Sequence, residues 1–95
     1  MVSTATIATA EPARIILRLC KHWGHKFTVA YDDRQGRVDL PFGPCLMQAG
    51  DGQLTLRLEG TPDADMEKFE QVVADHAHRM ARGETYAWRW ARGAA

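Results

Sequence analysis

Charge of one sign is missing from this sequence. Twelve basic residues balance twelve acidic ones, whereas a general nucleic-acid or membrane-surface binder shows a basic excess. Neither nucleic acid nor a membrane is therefore expected as a partner. Long apolar runs are missing too: none approaches the roughly 20 residues of a membrane span. The first ten residues, rich in Ser, Thr and Ala, lack the basic start and apolar core of a signal peptide. A cytoplasmic location is the expectation. Cysteine is scarce, and Cys20 and Cys45 are too few for a disulfide scaffold, so both are expected as thiols in a reducing cytosol. No internal repeat, linker or phosphate-binding glycine loop occurs. What is present, 95 residues at 45% apolar and 25% charged, suits a single domain over residues 1–95 with one modest core.

Periodicity supplies the elements. Val2 to Thr9 alternates weakly and is rich in β-branched residues, which predicts a short strand. Glu11 and Pro12 fit a helix start. Ile16, Leu19, Cys20 and Trp23 then recur at helical spacing, and Gly24 falls where a left-handed stop is expected. Four strands follow: Phe27 to Tyr31, Val38 to Phe42 after a turn at Asp32 to Gly36, Cys45 to Ala49, and Leu54 to Leu58 after the hairpin signal Gly50-Asp51-Gly52. Short turns between them imply an antiparallel meander. Thr61-Pro62-Asp63 reads as a second helix start. Met66, Phe69, Val73, His76 and Met80 form its stripe, Gly83 its stop, and Tyr86 to Trp90 alternate as a last strand. The predicted class is α+β: a two-layer, mainly antiparallel sheet in the order strand, helix, four strands, helix, strand, with both helices on one face. That order resembles the TATA-binding-protein-like arrangement, an analogy of topology that assigns no function.

Chemistry concentrates at Cys20-Lys21-His22-Trp23-Gly24-His25-Lys26, where two imidazoles, a thiol, an indole and two ammonium groups occupy seven positions. Helical geometry divides them. Cys20 and His22 point about 200° apart, because each residue turns about 100°. Cys20 joins the buried stripe, His22 faces outward, and His25 shares strand parity with Phe27 and Val29. One reading brings Cys20, His25, Cys45 and His76 together between helices and sheet, a donor set suited to zinc, or to iron or copper. The plainer reading makes both cysteines small core fillers and His76 a hydrogen-bonded core histidine. A second functional reading places His22, His25 and Lys26, with His76, around a small anion, since Lys and protonated His recognise carboxylates and phosphates. Its plain counterpart is that Lys21 and His22 complement the helix dipole. A nucleophilic cysteine needs an activated thiolate beside an imidazole, and burial of Cys20 opposes that. Tyr86, Trp88 and Trp90, interleaved with Arg89 and Arg92, would stack on single-stranded nucleic acid if exposed. The neutral net charge favours packing on the core instead, or a homodimer interface.

The stretch Cys20-Lys21-His22-Trp23 with His25-Lys26 resembles a family of small bacterial domains of unknown function. Pro41-Phe42-Gly43 with Cys45, Leu54 to Leu58, and Val72-Val73-Ala74-Asp75-His76 fit the same resemblance, which runs over roughly Ser3 to Trp90. The family's members occur alone or joined to siderophore-interacting flavoprotein reductases. The resemblance therefore implies a place near ferric-siderophore handling, with a siderophore as ligand or a flavoprotein reductase as partner. It carries over no catalytic residue. Some members bear an aldolase label, for which this chain offers neither a Schiff-base lysine in an apolar run nor a carboxylate-rich metal set. The expectation is a non-enzymatic accessory domain binding a small anionic ligand, with a Cys/His metal domain and a reductase-docking module as alternatives.

Overall fold

The computed structural model describes residues 1–81 and 86–93. Alternating sequences become strands and stripes become helices. In chain order these are β1 (Val2–Ala8), α1 (Pro12–Trp23), β2 (Val29–Tyr31), β3 (Gln35–Leu40), β4 (Gly43–Gly50), β5 (Gln53–Glu59), α2 (Met66–Met80) and β6 (Ala91–Gly93). The six strands form one antiparallel sheet in the order β2-β3-β4-β5-β1-β6. The expected element order and the β2-to-β5 meander are both present.

Register fixes which face is inside. Ala5 pairs with Leu56 and Leu56 with Met47, while Leu58 sits between Ser3 and Cys45, and Cys45 pairs in turn with Val38. With a period of two, these residues share one face, and all are buried. Both helices cover that face. From α1 come Ile15, Ile16, Leu19, Cys20 and Trp23, and from α2 come Met66, Phe69, Val73 and Ala77, all in the same core cluster as the strand residues. Full burial of a side chain such as Phe69 or Leu19 contributes about 1.5–3 kcal/mol. Two glycines permit close approach. A Cβ on Gly36 would stand 2.9 Å from Ile16 Cγ2 and 3.1 Å from Cys20 Sγ, so the bare backbone of β3 seats α1. Gly43 has φ +132°, and a Cβ there would collide with the Glu59 carbonyl.

Several boundaries differ from expectation, each for a local reason. Gly24 is right-handed, with φ −62°. The amides of Lys26 and Phe27 both donate to the Trp23 carbonyl, at 3.0 and 2.8 Å, and close the helix without a left-handed residue. Phe27 is thereby held in the turn, and β2 starts at Val29. The Asp32 carboxylate accepts from the amides of Arg34 and Gln35 at 2.8 and 2.9 Å. This tightens the turn and releases Gln35 and Gly36 into β3. β4 takes in Gly43 and Pro44, expected to end the preceding strand. The second helix starts later than Thr61-Pro62-Asp63 predicts. Ala64 donates to the Thr61 carbonyl in a separate turn at 3.0 Å, and Asp65 caps α2 by accepting from Lys68 N at 3.1 Å. The expected stop at Gly83 lies outside the described residues. Tyr86 to Trp90 is not a strand: it packs its rings on the core, and pairing begins only at Ala91, opposite Thr4. No helix among the described residues is long and apolar enough to cross a membrane.

Candidate functional site

The last turn of α1 points Trp23 inward and leaves His22 exposed. The turn that follows exposes His25 and Lys26, since the amides of Lys26 and Phe27 are bound to the Trp23 carbonyl rather than paired in a strand. The β3–β4 connection brings Leu40, Pro41 and Phe42 to the same place, and α2 brings Val72 and His76. Together with Phe27 these residues line a cleft of about 430 Å³. All four residues of the expected anion set, His22, His25, Lys26 and His76, thus border one cavity.

His76 is held from two sides. Its Nδ1 lies 2.7 Å from the Val72 carbonyl. A carbonyl only accepts, so Nδ1 carries the proton. Nε2 then accepts in the neutral ring and donates only in the imidazolium. The ring lies 5.3 Å from that of His22 and 5.0 Å from that of Trp23, tilted against both. Across the cleft, Phe42 stacks on the buried Phe69 at 5.1 Å with 21° between planes. The walls are therefore pre-positioned, and among the described residues no carboxylate lines the cleft. Its rim is cationic and its interior apolar.

The expected convergence of Cys20, His25, Cys45 and His76 does not occur. Both cysteines are free and fully buried between helices and sheet, whereas His25 is exposed in a turn, and strand parity with Phe27 does not apply to it. Among the described residues no group of three or more His, Cys, Asp or Glu is placed to hold a metal ion. Burial pushes the Cys20 thiol up to about 11. It pushes Cys45 up to about 12, the neighbouring Cys20 adding to the effect. Such groups are poor thiolate ligands and poor nucleophiles at neutral pH.

Two other hollows carry different chemistry. One of about 390 Å³ lies between α2 and the Tyr86–Trp90 segment, lined by those rings and by Glu67, Glu70 and Asp75. Its Glu70 is already engaged. Arg92 makes a bidentate pair with Glu70, at 2.7 and 2.8 Å, and Ser3 Oγ donates to the same carboxylate at 2.6 Å. These bonds, Arg92 first, hold the Glu70 carboxyl below the usual carboxylate range. A larger hollow of about 710 Å³ lies on the outer face of the sheet beside Thr4, Leu46, Thr55, Arg37 and Arg57. Its two arginines are paired with Asp39 and Glu59, each at 3.0 Å. This is the solvated side of an open sheet, so size does not decide in its favour.

Sequence reasoning did not give Phe42, Leu40, Pro41 and Val72 a role. The signal available was the end of the alternating run Val38 to Phe42 before Gly43-Pro44, which marks a connection but not what it faces. The Ser3–Glu70–Arg92 cluster was missed as well, since nothing local links its three members.

Comparison with known proteins follows the same geometry. A family model for DUF2218, described as an uncharacterized protein conserved in bacteria, matches residues 4–91. The chain belongs to the DUF2218 family. The matched region contains every residue of the cleft. Among solved structures, this DUF2218 chain is similar to PA4090 from Pseudomonas aeruginosa, determined by NMR. The two are 38% identical with a TM-score of 0.76, over 95% of this chain and 94% of that one. No curated protein matches. The bacterial resemblance read from Cys20 to Lys26 is therefore a family membership.

Proposed function

We propose that this DUF2218 protein binds a small anionic ligand in the cleft between the end of α1, the β3–β4 connection and α2, without catalysing its conversion. The observation that carries the reading is the rim. His22, His25 and Lys26 border one cavity whose lining, among the described residues, contains no carboxylate. Complementing the helix dipole accounts for Lys21 and His22, which sit in the last turn of α1. It does not account for His25 and Lys26, which lie beyond the helix yet border the cavity, whereas Lys21 does not. Charge-assisted hydrogen bonds from such groups recognise a carboxylate or a phosphate.

The link to siderophore-interacting reductases that the resemblance implies makes a siderophore or its ferric complex the ligand to try first. A flavoprotein reductase is then the partner to try beside it. A cytoplasmic setting suits thiols that are free and buried. The test is a calorimetric titration with ferric siderophores and simple carboxylates, repeated on His25→Ala. Loss of one hydrogen bond to a charged group costs about 1.5–3 kcal/mol, at the lower end for an exposed site. His25→Ala is therefore expected to weaken binding by roughly tenfold. Absence of binding, or binding indifferent to His25→Ala, contradicts the proposal.

A further inference from the structure

Resting on that reading, we infer that the ligand is a monocarboxylate carrying a flat aromatic ring, bound ring-inward with its carboxylate at the Lys26 and His25 rim. Charge and apolar surface are segregated within the cleft. The groups that can donate to an anion, the Lys26 ammonium and the His22 and His25 imidazoles, come from consecutive turns of chain and are exposed. The walls behind them are Trp23, Phe27, Leu40, Phe42 and Val72. A ligand matching this division has its charge at one end only. A second carboxylate placed inward of the rim would lie against hydrocarbon, which is costly.

The back of the cleft settles the orientation. With Nδ1 bound to the Val72 carbonyl, Nε2 is the one ring nitrogen His76 has left to offer, and in the neutral ring it accepts. A carboxylate gains nothing from that form of the ring and is directed to the rim. A ring gains more. Trp23 is almost fully buried and touches His76 at a 5.0 Å ring separation, and Phe42 is held by its stack on Phe69. Fixed aromatic walls receive a flat ring by offset or edge contacts without first having to be ordered. The volume, about 430 Å³, lies within the range of small-molecule sites.

The experiment is a titration of the full chain, followed by amide NMR shifts at fixed pH and salt, with phenylacetate, 1-naphthoate, acetate, citrate, inorganic phosphate and benzyl alcohol. Phenylacetate or naphthoate is expected to bind at least roughly tenfold more tightly than acetate or citrate, moving signals of residues 22–27, 40–42 and 72–76. Phe42→Leu, which keeps the wall apolar but removes its ring, is expected to reduce this preference severalfold. Lys26→Gln is expected to weaken all the carboxylates and leave benzyl alcohol alone. Citrate or phosphate binding in the cleft as tightly as the ring acids overturns this inference and leaves anion binding standing. If no anion moves these signals, both fail.

Discussion

A histidine at position 76 reaches the carbonyl of Val72 because four residues on a helix bring the two into line. That bond fixes which nitrogen is free and so what His76 offers a ligand. The stripe of α2 was legible from spacing, but the exact place of His76 was not. Val73 and Ala77 lie at its buried centre, whereas His76 is half-buried at its edge, where α2 meets the end of α1. The cysteines show the same limit. Cys20 is inward by helical phase alone. Cys45 alternates with Leu46, and either parity satisfies the local sequence. Pairing with Val38 and Leu58 decides for Cys45. With thiols raised to about 11 and 12, the thiolate fraction at pH 8 is on the order of one in a thousand and one in ten thousand. Both cysteines are expected to resist a disulfide reagent such as DTNB in the native protein and to react promptly in urea. Rapid labelling of either thiol in native buffer would show that it is not enclosed as described.

Elements meet through contacts that no single element announces. β6 has three residues, all exposed, too few to hold a chain end by strand pairing alone. It is tied instead by Arg92, whose guanidinium pairs with Glu70 of α2, while Ser3 of β1 completes the cluster. The sequence placed Arg92 beside aromatic residues and suggested nothing about Glu70, because the partner is 22 positions away on another element. The pair has a pH consequence. The folded state lowers the carboxyl of Glu70, so its stabilisation is fully present above the unfolded carboxylate range. It is lost as pH falls through the depressed folded value. Arg92→Gln is expected to be less stable than the parent at neutral pH, with the difference shrinking as Glu70 protonates. Urea midpoints measured from pH 7 down to about pH 3 check this, and a gap between the two proteins that widens on acidification would contradict it.

At the scale of the molecule, the class and the order of elements followed from alternation and stripe, since each depends only on neighbours in sequence. The cleft did not. Its rim was picked out because reactive side chains crowd between Cys20 and Lys26, but its walls arrive from residues 40–42 and from Val72. Only the packing of α1 and α2 on one face of the sheet brings these together. The same packing takes Cys20 and Cys45 out of reach and removes the mixed Cys/His set that the sequence left open. Chemistry ranks the hollows described above: an outer sheet face with paired arginines, an α2 flank whose Glu70 is held by Arg92, and a rim of Lys26 and imidazoles over fixed rings with no acid among its described lining residues. The most direct test of this ranking is an amide NMR map recorded while one carboxylate is added to saturation. The shifts are expected to concentrate at residues 22–27, 40–42 and 72–76. A spectrum that stays unchanged, or shifts confined to the strands around Arg37 and Arg57, would contradict the assignment of the cleft.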